Sequence, residues 1–299
     1  LLILTLTISR TGAPPVLSAS SNAPREMDSK KEEAEAAFKK LDEAMSQARD
    51  AYFEPLNKAQ KEGVSPEEMS MIELDPDLLP IKVVGPKILK AIEKYVGTEV
   101  ALEQCSELLY LASREESQAW MFDRVSDLMI THYLESESLK NFCTRAHYMG
   151  DSPANVKLLR SIFADSPHRD VKASSGYALA KVLGSSKDTR EEGLELLKKI
   201  GSDFGDVVYY RDTVYGDKVK GDLFEMEHLQ IGCVAPEIIG KEVFGNLMQL
   251  SSFRGKVVLL DFWGDWCGPC RAMYPHERSL VEKYPADEFA IVGVNSERT

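Results

Sequence analysis

The sequence predicts an N-terminal all-α part built of helical hairpins in a solenoid-like arrangement, followed by a C-terminal α/β part. Three observations lead to this prediction. Apolar residues recur at spacings of three and four from residue 27 to about residue 229, which is the period of amphipathic helices. The composition shifts towards Gly, Val and Ile at residue 231. Two continuous apolar runs then flank a helical segment, which is typical of a parallel βαβ unit.

Length and composition limit the classes of protein to be considered. A chain of 299 residues with 43% apolar and 28% charged residues is typical of a soluble globular protein of about two domains. The net charge of −12 argues against a nucleic acid or an anionic membrane surface as the main partner. Only two of the five cysteines lie close together, which does not favour a disulfide-stapled scaffold.

The first segment resembles the end of a secretory signal. An apolar run over residues 1–8 is followed by small, polar and Pro-containing residues, with cleavage expected after Ala19 or Ala23. Because the chain opens on Leu1, we expect residues 1–23 to be a signal peptide whose start is missing, and the protein to be exported. A buried strand and an uncleaved membrane anchor are the alternatives.

The helical part divides into two segments. Residues 27–62 form a highly charged segment with a narrow apolar stripe, which predicts one amphipathic helix. We expect this helix to stop near Pro55. Residues 63–230 predict short helices joined by short turns, as in stacked antiparallel pairs. A scaffold or partner-binding role is open for this part. The predicted boundary signals are a helix from Pro86 to Gly97, N-caps at Ser152 and Ser166 before prolines, and a capping box of Thr189 with Glu192.

Isolated cysteines and histidines in the helical part indicate no metal site. Cys105 and Cys143 lie on apolar stripes, where a free cysteine behaves as a small hydrophobe. A disulfide between them is the alternative. We expect His132 to be a hydrogen-bonded core residue. The remaining histidines of this part show no metal-ligand spacing to one another: His147, His168 and His228.

The C-terminal part predicts strands around one helix. Gly245-Asn246 indicates a turn between two short extended runs. The run VVLLDFW, residues 257–263, predicts a strand covered on both faces, and residues 268–284 and 289–295 predict a helix and a second strand. Cys267 then lies just past the carboxyl end of the first strand, where open α/β sheets place their chemistry.

A Cys-Gly-Pro-Cys sequence at this position indicates thiol–disulfide chemistry. The free N–H groups of a helix start favour the thiolate, so we expect Cys267 to attack a substrate disulfide. Cys270, one turn further along, would resolve the mixed disulfide, and Pro269 restrains the turn after Gly268. We expect Asp261, buried in the strand below, to accept the proton of Cys270. A purely structural carboxylate is the alternative.

The stretch DFWGDWCGPCRAMYP, residues 261–275, resembles thioredoxin in its aspartate, its Cys-Gly-Pro-Cys, Trp266 before the first cysteine and Pro275 after the second. The flanking GCVAPEI, LSSFRGKVVLL and IVGVNSE resemble the exported TlpA/ResA-type branch of that superfamily, also called redoxin or AhpC/TSA-like domains. The resemblance covers residues 231–299. Members of that branch often lack the aspartate. The fold also continues beyond Thr299, so we expect the domain to be incomplete in this chain.

The resemblance implies an α/β thioredoxin-like fold without a cofactor or metal. It implies that Cys267 is the nucleophile, Cys270 the resolving thiol, Asp261 the buried acid/base, and Trp266 a cover beside the site, with Gly268 and Pro269 supporting the turn. The Gly-Pro insert is that of thioredoxin, whose potential is about −270 mV, so we expect a reductant of protein disulfides. A periplasmic or membrane-anchored reductant implies a membrane thiol-electron donor as a partner.

Other chemistries fit the sequence less well. A peroxiredoxin-type peroxidase requires a Pro-x-x-x-Thr-x-x-Cys setting, whereas Trp-Gly-Asp-Trp precedes Cys267. A zinc site requires a second pair of ligands, and His276 is poorly placed to complete one. Cys233 is expected to be an exposed thiol without a role, with a third redox thiol as the alternative.

Overall fold

The computed structural model of the chain describes residues 23–295. Nearly all of the expected signal peptide therefore lies outside the described residues. Within residues 23–295 no helix combines the length and the apolar character needed to cross a bilayer. The chain divides into two compact units between Leu223 and Phe224, each described by itself below.

The first unit is helical. Its helices are α1 (Ala23–Lys61), α2 (Pro66–Met69), α3 (Pro80–Tyr95), α4 (Glu99–Ala112), α5 (Ala119–His132), α6 (Leu139–Ala146), α7 (Pro153–Asp165), α8 (Arg169–Ser185), α9 (Arg190–Asp203) and α10 (Tyr215–His228), the last of which crosses the unit boundary. Most pack against helices close to them in sequence, such as α3 on α4 and α8 on α9. Their apolar faces form one core that extends from Ala34 to Leu183. The predicted class of a mainly helical chain with a small α/β region is confirmed, while the solenoid-like arrangement stays a prediction.

Two predicted helix boundaries are wrong. Helix α1 continues through Pro55 to Lys61, and α3 begins at Pro80 with Pro86 inside it. An internal proline removes one backbone hydrogen bond and disfavours a helix. In α3 the residues before Pro86 include the buried Ile81 and Val84, whose burial in the core offsets that cost.

The predicted N-caps have mixed outcomes. The Ser152 hydroxyl accepts a hydrogen bond from the Asn155 N–H at 3.3 Å, so this cap is confirmed. The cap at Ser166 is wrong, because α8 begins only at Arg169, after His168. The capping box is also wrong, since the Thr189 hydroxyl donates to the Leu183 carbonyl at 2.7 Å instead.

A β-hairpin interrupts the region that the sequence predicts as all-helical. Strands β1 (Val208–Tyr210) and β2 (Thr213–Val214) pair in antiparallel fashion. Arg211 takes a φ of 50° in the turn, the left-handed region that few non-glycine residues enter. The Val-Val-Tyr-Tyr run carried a β-propensity signal that the helical interpretation overlooked.

The second unit contains the predicted α/β elements. Strands β3 (Ile239–Lys241) and β4 (Leu247–Gln249) form the expected hairpin, and Gly245 in its turn has a φ of 86°. Strand β5 (Val257–Trp263), helix α11 (Gly268–Lys283) and strand β6 (Phe289–Asn295) follow. The parallel pairing of β5 with β6 is confirmed, with Val257 opposite Phe289 and Trp263 opposite Asn295.

The expectation that β5 is covered on both faces is wrong for the described residues. Its side chains are exposed or partly buried and none is fully buried, and those of Val257 and Phe262 are 71% and 65% exposed. Among residues 23–295, β5 pairs with β6 and with no other strand. The continuous apolar run therefore does not by itself determine which faces are covered.

Candidate redox site

The Cys-Gly-Pro-Cys sequence lies where β5 passes into α11. Cys267 is the N-cap of α11, and its N–H donates to the Gly264 carbonyl at 2.9 Å, which closes a tight turn after the strand. The Cys267 sulfur accepts a hydrogen bond from the Cys270 N–H at 3.2 Å. The sulfur therefore lies against the free N–H groups at the helix start, which favour negative charge.

Both cysteines are joined in a disulfide and are partly buried. The S–S distance is 2.01 Å and the Cα atoms are 5.3 Å apart, with one helical turn between the two residues. Pro269 lies in the first turn of α11, where its missing N–H leaves no helical hydrogen bond unmade.

Asp261 lies in β5, opposite Gly293 of β6. The sequence predicts a buried carboxylate at this position, and the structure shows the side chain partly buried. Strand β5 has one paired neighbour among the described residues, which leaves one side of the strand open. Asp261 thus lies on the strand that leads to the cysteines.

Two tryptophans flank the turn in different environments. Trp266 is 77% exposed beside the disulfide. Gly264 lies beneath it, and a Cβ at that position would come within 2.5 Å of the indole Nε1 of Trp266. Trp263 packs edge-on against Tyr274 of α11, with ring centroids 6.0 Å apart.

The sequence reasoning did not consider Gly264. A side chain at this position would require the exposed Trp266 indole to move from its present place. Glycine between two tryptophans, in Phe-Trp-Gly-Asp-Trp, is the local signal that could have identified it.

The other cysteines are free, so the alternative Cys105–Cys143 disulfide is not formed. Burial raises the pKa of the Cys105 thiol to about 12 and raises that of Cys143 as well. Cys233 is exposed. Both buried thiols are therefore unreactive, whereas Cys233 is accessible.

The prediction for one histidine is wrong, and the structure shows the surroundings of two others. His132 is exposed at the end of α5, so the expectation of a core residue is wrong. The Nε2 atom of His168 lies 2.8 Å from the Glu135 carbonyl oxygen. His147 is partly buried. In the part of the chain that the structure describes, no group of three or more His, Cys, Asp or Glu residues could hold a metal ion.

A β-hairpin, a parallel strand–helix–strand unit and a Cys-Gly-Pro-Cys disulfide at the helix start define a thioredoxin-like redoxin domain. Residues 231–299 match the family model described as AhpC/TSA family. Among curated proteins, the chain is 32% identical over 80 residues to the thiol-disulfide oxidoreductase ResA of Bacillus thuringiensis subsp. konkukian, covering 27% of this chain and 46% of that protein.

Two proteins of Bacillus subtilis are also similar to part of this chain. The thioredoxin-like protein YneN is 42% identical over 67 residues, which cover 22% of this chain and 39% of YneN. ResA of that organism is 33% identical over 69 residues, covering 23% of this chain and 38% of the relative. The chain thus spans less than half the length of these relatives.

Proposed function

We propose that this protein is an exported thiol–disulfide oxidoreductase that reduces protein disulfides through Cys267 and Cys270. The observation that carries the proposal is the Cys267–Cys270 disulfide at the start of α11, directly after β5. The similarity to relatives named thiol-disulfide oxidoreductases supports the same reaction class.

The reaction begins with the reduced dithiol. The Cys267 thiolate attacks one sulfur of the substrate disulfide, releases the other substrate sulfur as a thiolate, and forms a mixed disulfide. The Cys270 thiol then loses its proton and attacks the Cys267 sulfur. This second step releases the remaining substrate thiolate and forms the Cys267–Cys270 disulfide, so that two electrons have passed to the substrate.

The surroundings of the dithiol support these roles. The Cys267 sulfur accepts the Cys270 N–H at the helix start, an environment that favours the attacking thiolate. We propose that Asp261, partly buried on the preceding strand, accepts the proton of Cys270, through water where the two groups do not touch. Gly268 and Pro269 hold the turn, and the exposed Trp266 offers an aromatic surface to the substrate.

The direction of electron flow and the compartment are parts of the same proposal. The Gly-Pro insert favours a reducing pair, as in thioredoxin at about −270 mV. The apolar start of the sequence favours export, either with cleavage or as an anchor. A reductant outside the cytoplasm must be reduced again after each turnover, so we propose a membrane thiol-electron donor as a partner.

The test is the reduction of insulin disulfides by the full chain with dithiothreitol as the electron source. We expect turnover that is lost in Cys267→Ser and retained in Cys233→Ser, which removes an exposed cysteine from the same unit. Equal turnover of the wild type and Cys267→Ser would refute the proposal. Rapid peroxide consumption without insulin reduction would favour the peroxidase alternative instead.

A further inference from the structure

A polar cluster lies in the first unit, apart from the redox residues. Helices α8 and α10 each carry polar side chains at positions i, i+3 and i+7, a spacing that places them on one helical face. The three residues on each helix are Ser174, Tyr177 and Lys181 on α8, and Tyr215, Lys218 and Asp222 on α10. The Tyr215 hydroxyl meets that of Ser174 at 2.9 Å. The polar faces of α8 and α10 thus face each other.

Asp222 is the centre of this cluster and is 3% exposed. Its Oδ2 accepts a hydrogen bond from the Tyr177 hydroxyl at 2.7 Å. Its Oδ1 accepts from the Lys218 ammonium at 2.8 Å and from the Lys181 ammonium at 3.2 Å. One carboxylate oxygen therefore holds both ammonium groups close together.

The charges of the cluster do not cancel. Two ammonium groups face one carboxylate, which leaves one positive charge in excess, although the chain as a whole carries −12. Each ammonium has three N–H donors and gives one to Asp222, so further donors remain. The side chains of Lys181 and Lys218 are 26% and 31% exposed. Both lysine side chains are therefore partly open to solvent.

The surroundings restrain the lysines and add polar groups. The Lys218 ammonium lies 5.6 Å from the ring centre of Tyr177 and 5.9 Å from that of Tyr209. His147 packs edge-on against Tyr177, and among the described residues its buried Nδ1 has no hydrogen-bond partner. Burial and the two lysines lower the pKa of His147, so the ring is neutral at pH 7.

We propose that Lys181 and Lys218 form a binding site for an oxyanion, a carboxylate or phosphate group carried by a ligand. Asp222 and the tyrosine rings hold both ammonium groups in place before the ligand arrives, which reduces the entropy lost on binding. The excess charge supplies the attraction. This site is independent of the proposed thiol chemistry.

The experiment is a titration of the oxidised full chain, labelled with ¹³C in its tyrosine rings, at constant ionic strength. One arm uses sodium phosphate and the other sodium acetate. We expect saturable shifts of the Tyr177 and Tyr209 ring signals, with a dissociation constant of roughly 1 mM or below in at least one arm. The responding arm distinguishes a phosphate from a carboxylate. Absence of saturation in both arms overturns the proposal.

Two variants test whether the lysines bind the anion. Lys218→Gln should weaken binding by about tenfold, because a charged donor is lost. Lys220→Gln is the matched control, since this lysine lies on the same helix but is 80% exposed and pairs with Asp217. It should change affinity by less than about twofold. Equal losses in both variants would indicate unspecific attraction and refute the site.

Lys181→Gln serves the same purpose if Lys218→Gln does not fold, because Lys218 and Tyr177 then remain on Asp222. It should also weaken binding by about tenfold. Unchanged affinity in a folded lysine variant would likewise refute the site.

Discussion

Gly193 of α9 lies directly against Gly184 of α8. A Cβ atom at position 193 would come within 2.5 Å of the Gly184 backbone nitrogen and within 2.8 Å of the Ala180 carbonyl oxygen. These are backbone atoms of a helix, so no side-chain rotation can relieve the contact. Helices α8 and α9 therefore pack with their backbones almost touching, and this approach requires glycine.

The first prediction follows from this contact. Gly193→Ala should destabilise the first unit by about 1–3 kcal/mol, the usual cost of overpacking, and lower the midpoint of urea unfolding followed by helical circular dichroism. Gly221→Ala is the matched control, because a Cβ on that residue of α10 meets nothing within 4 Å. Gly221→Ala should raise the free energy of unfolding by about 0.5–1 kcal/mol. A Gly193→Ala variant as stable as the wild type would show that the helices can separate at no cost.

The second prediction concerns the pH dependence of stability. Burial raises the pKa of Asp222, but hydrogen bonds from Lys218 and Tyr177 and the charges of both lysines outweigh it, and the pKa lies below the ordinary 3.8. Because the folded state binds the proton less tightly, Asp222 contributes stability above pH 3.8, and this contribution is lost as the pH falls through the folded pKa.

Urea unfolding between pH 7 and pH 2 measures this loss. We expect Asp222→Asn to be less stable than the wild type at pH 7 and to approach it at the acid end. Asp217→Asn, an exposed aspartate on the same helix, should follow the wild-type curve. A constant difference between wild type and Asp222→Asn across the range would contradict the prediction.

The third prediction concerns Asp261. Asp261→Asn keeps the shape but removes the proton acceptor, so resolution of a mixed disulfide by Cys270 should slow near neutral pH. Stability should not fall, because a partly buried carboxylate is replaced by a neutral amide. Stopped-flow measurements of resolution from pH 6 to 9 test this, with the exposed Asp287→Asn as control. Wild-type rates throughout would assign Asp261 a structural role.

The fourth prediction concerns thiol reactivity in the oxidised protein. Cys233 is exposed, whereas Cys105 and Cys143 are buried with raised pKa values, and Cys267 and Cys270 share a disulfide. We expect Cys233 alone to react rapidly with Ellman's reagent in the native state, and all three free thiols to react in denaturant. Cys233→Ser should abolish the fast phase. Rapid native labelling of Cys143, located by peptide mapping, would contradict the buried core.

Several features were predictable because their signals are local. The hairpin at Gly245-Asn246 depends on turn residues, and the β5–α11–β6 unit depends on apolar runs of the right length around a helix. The placement of Cys267 at the start of α11 follows from the same elements. Neighbouring residues determine each of these, so no knowledge of distant contacts was needed.

Long-range packing decided the rest. The helical period, the α/β unit and the position of the dithiol could be predicted from the residues alone, because backbone propensity and periodicity act over a few residues. Contacts between distant residues keep Pro86 within a helix, leave Asp261 partly buried, and bring Lys181 to Asp222 from another helix. Burial and pairing between residues far apart in the chain depend on which surfaces meet, and a local pattern does not carry that information.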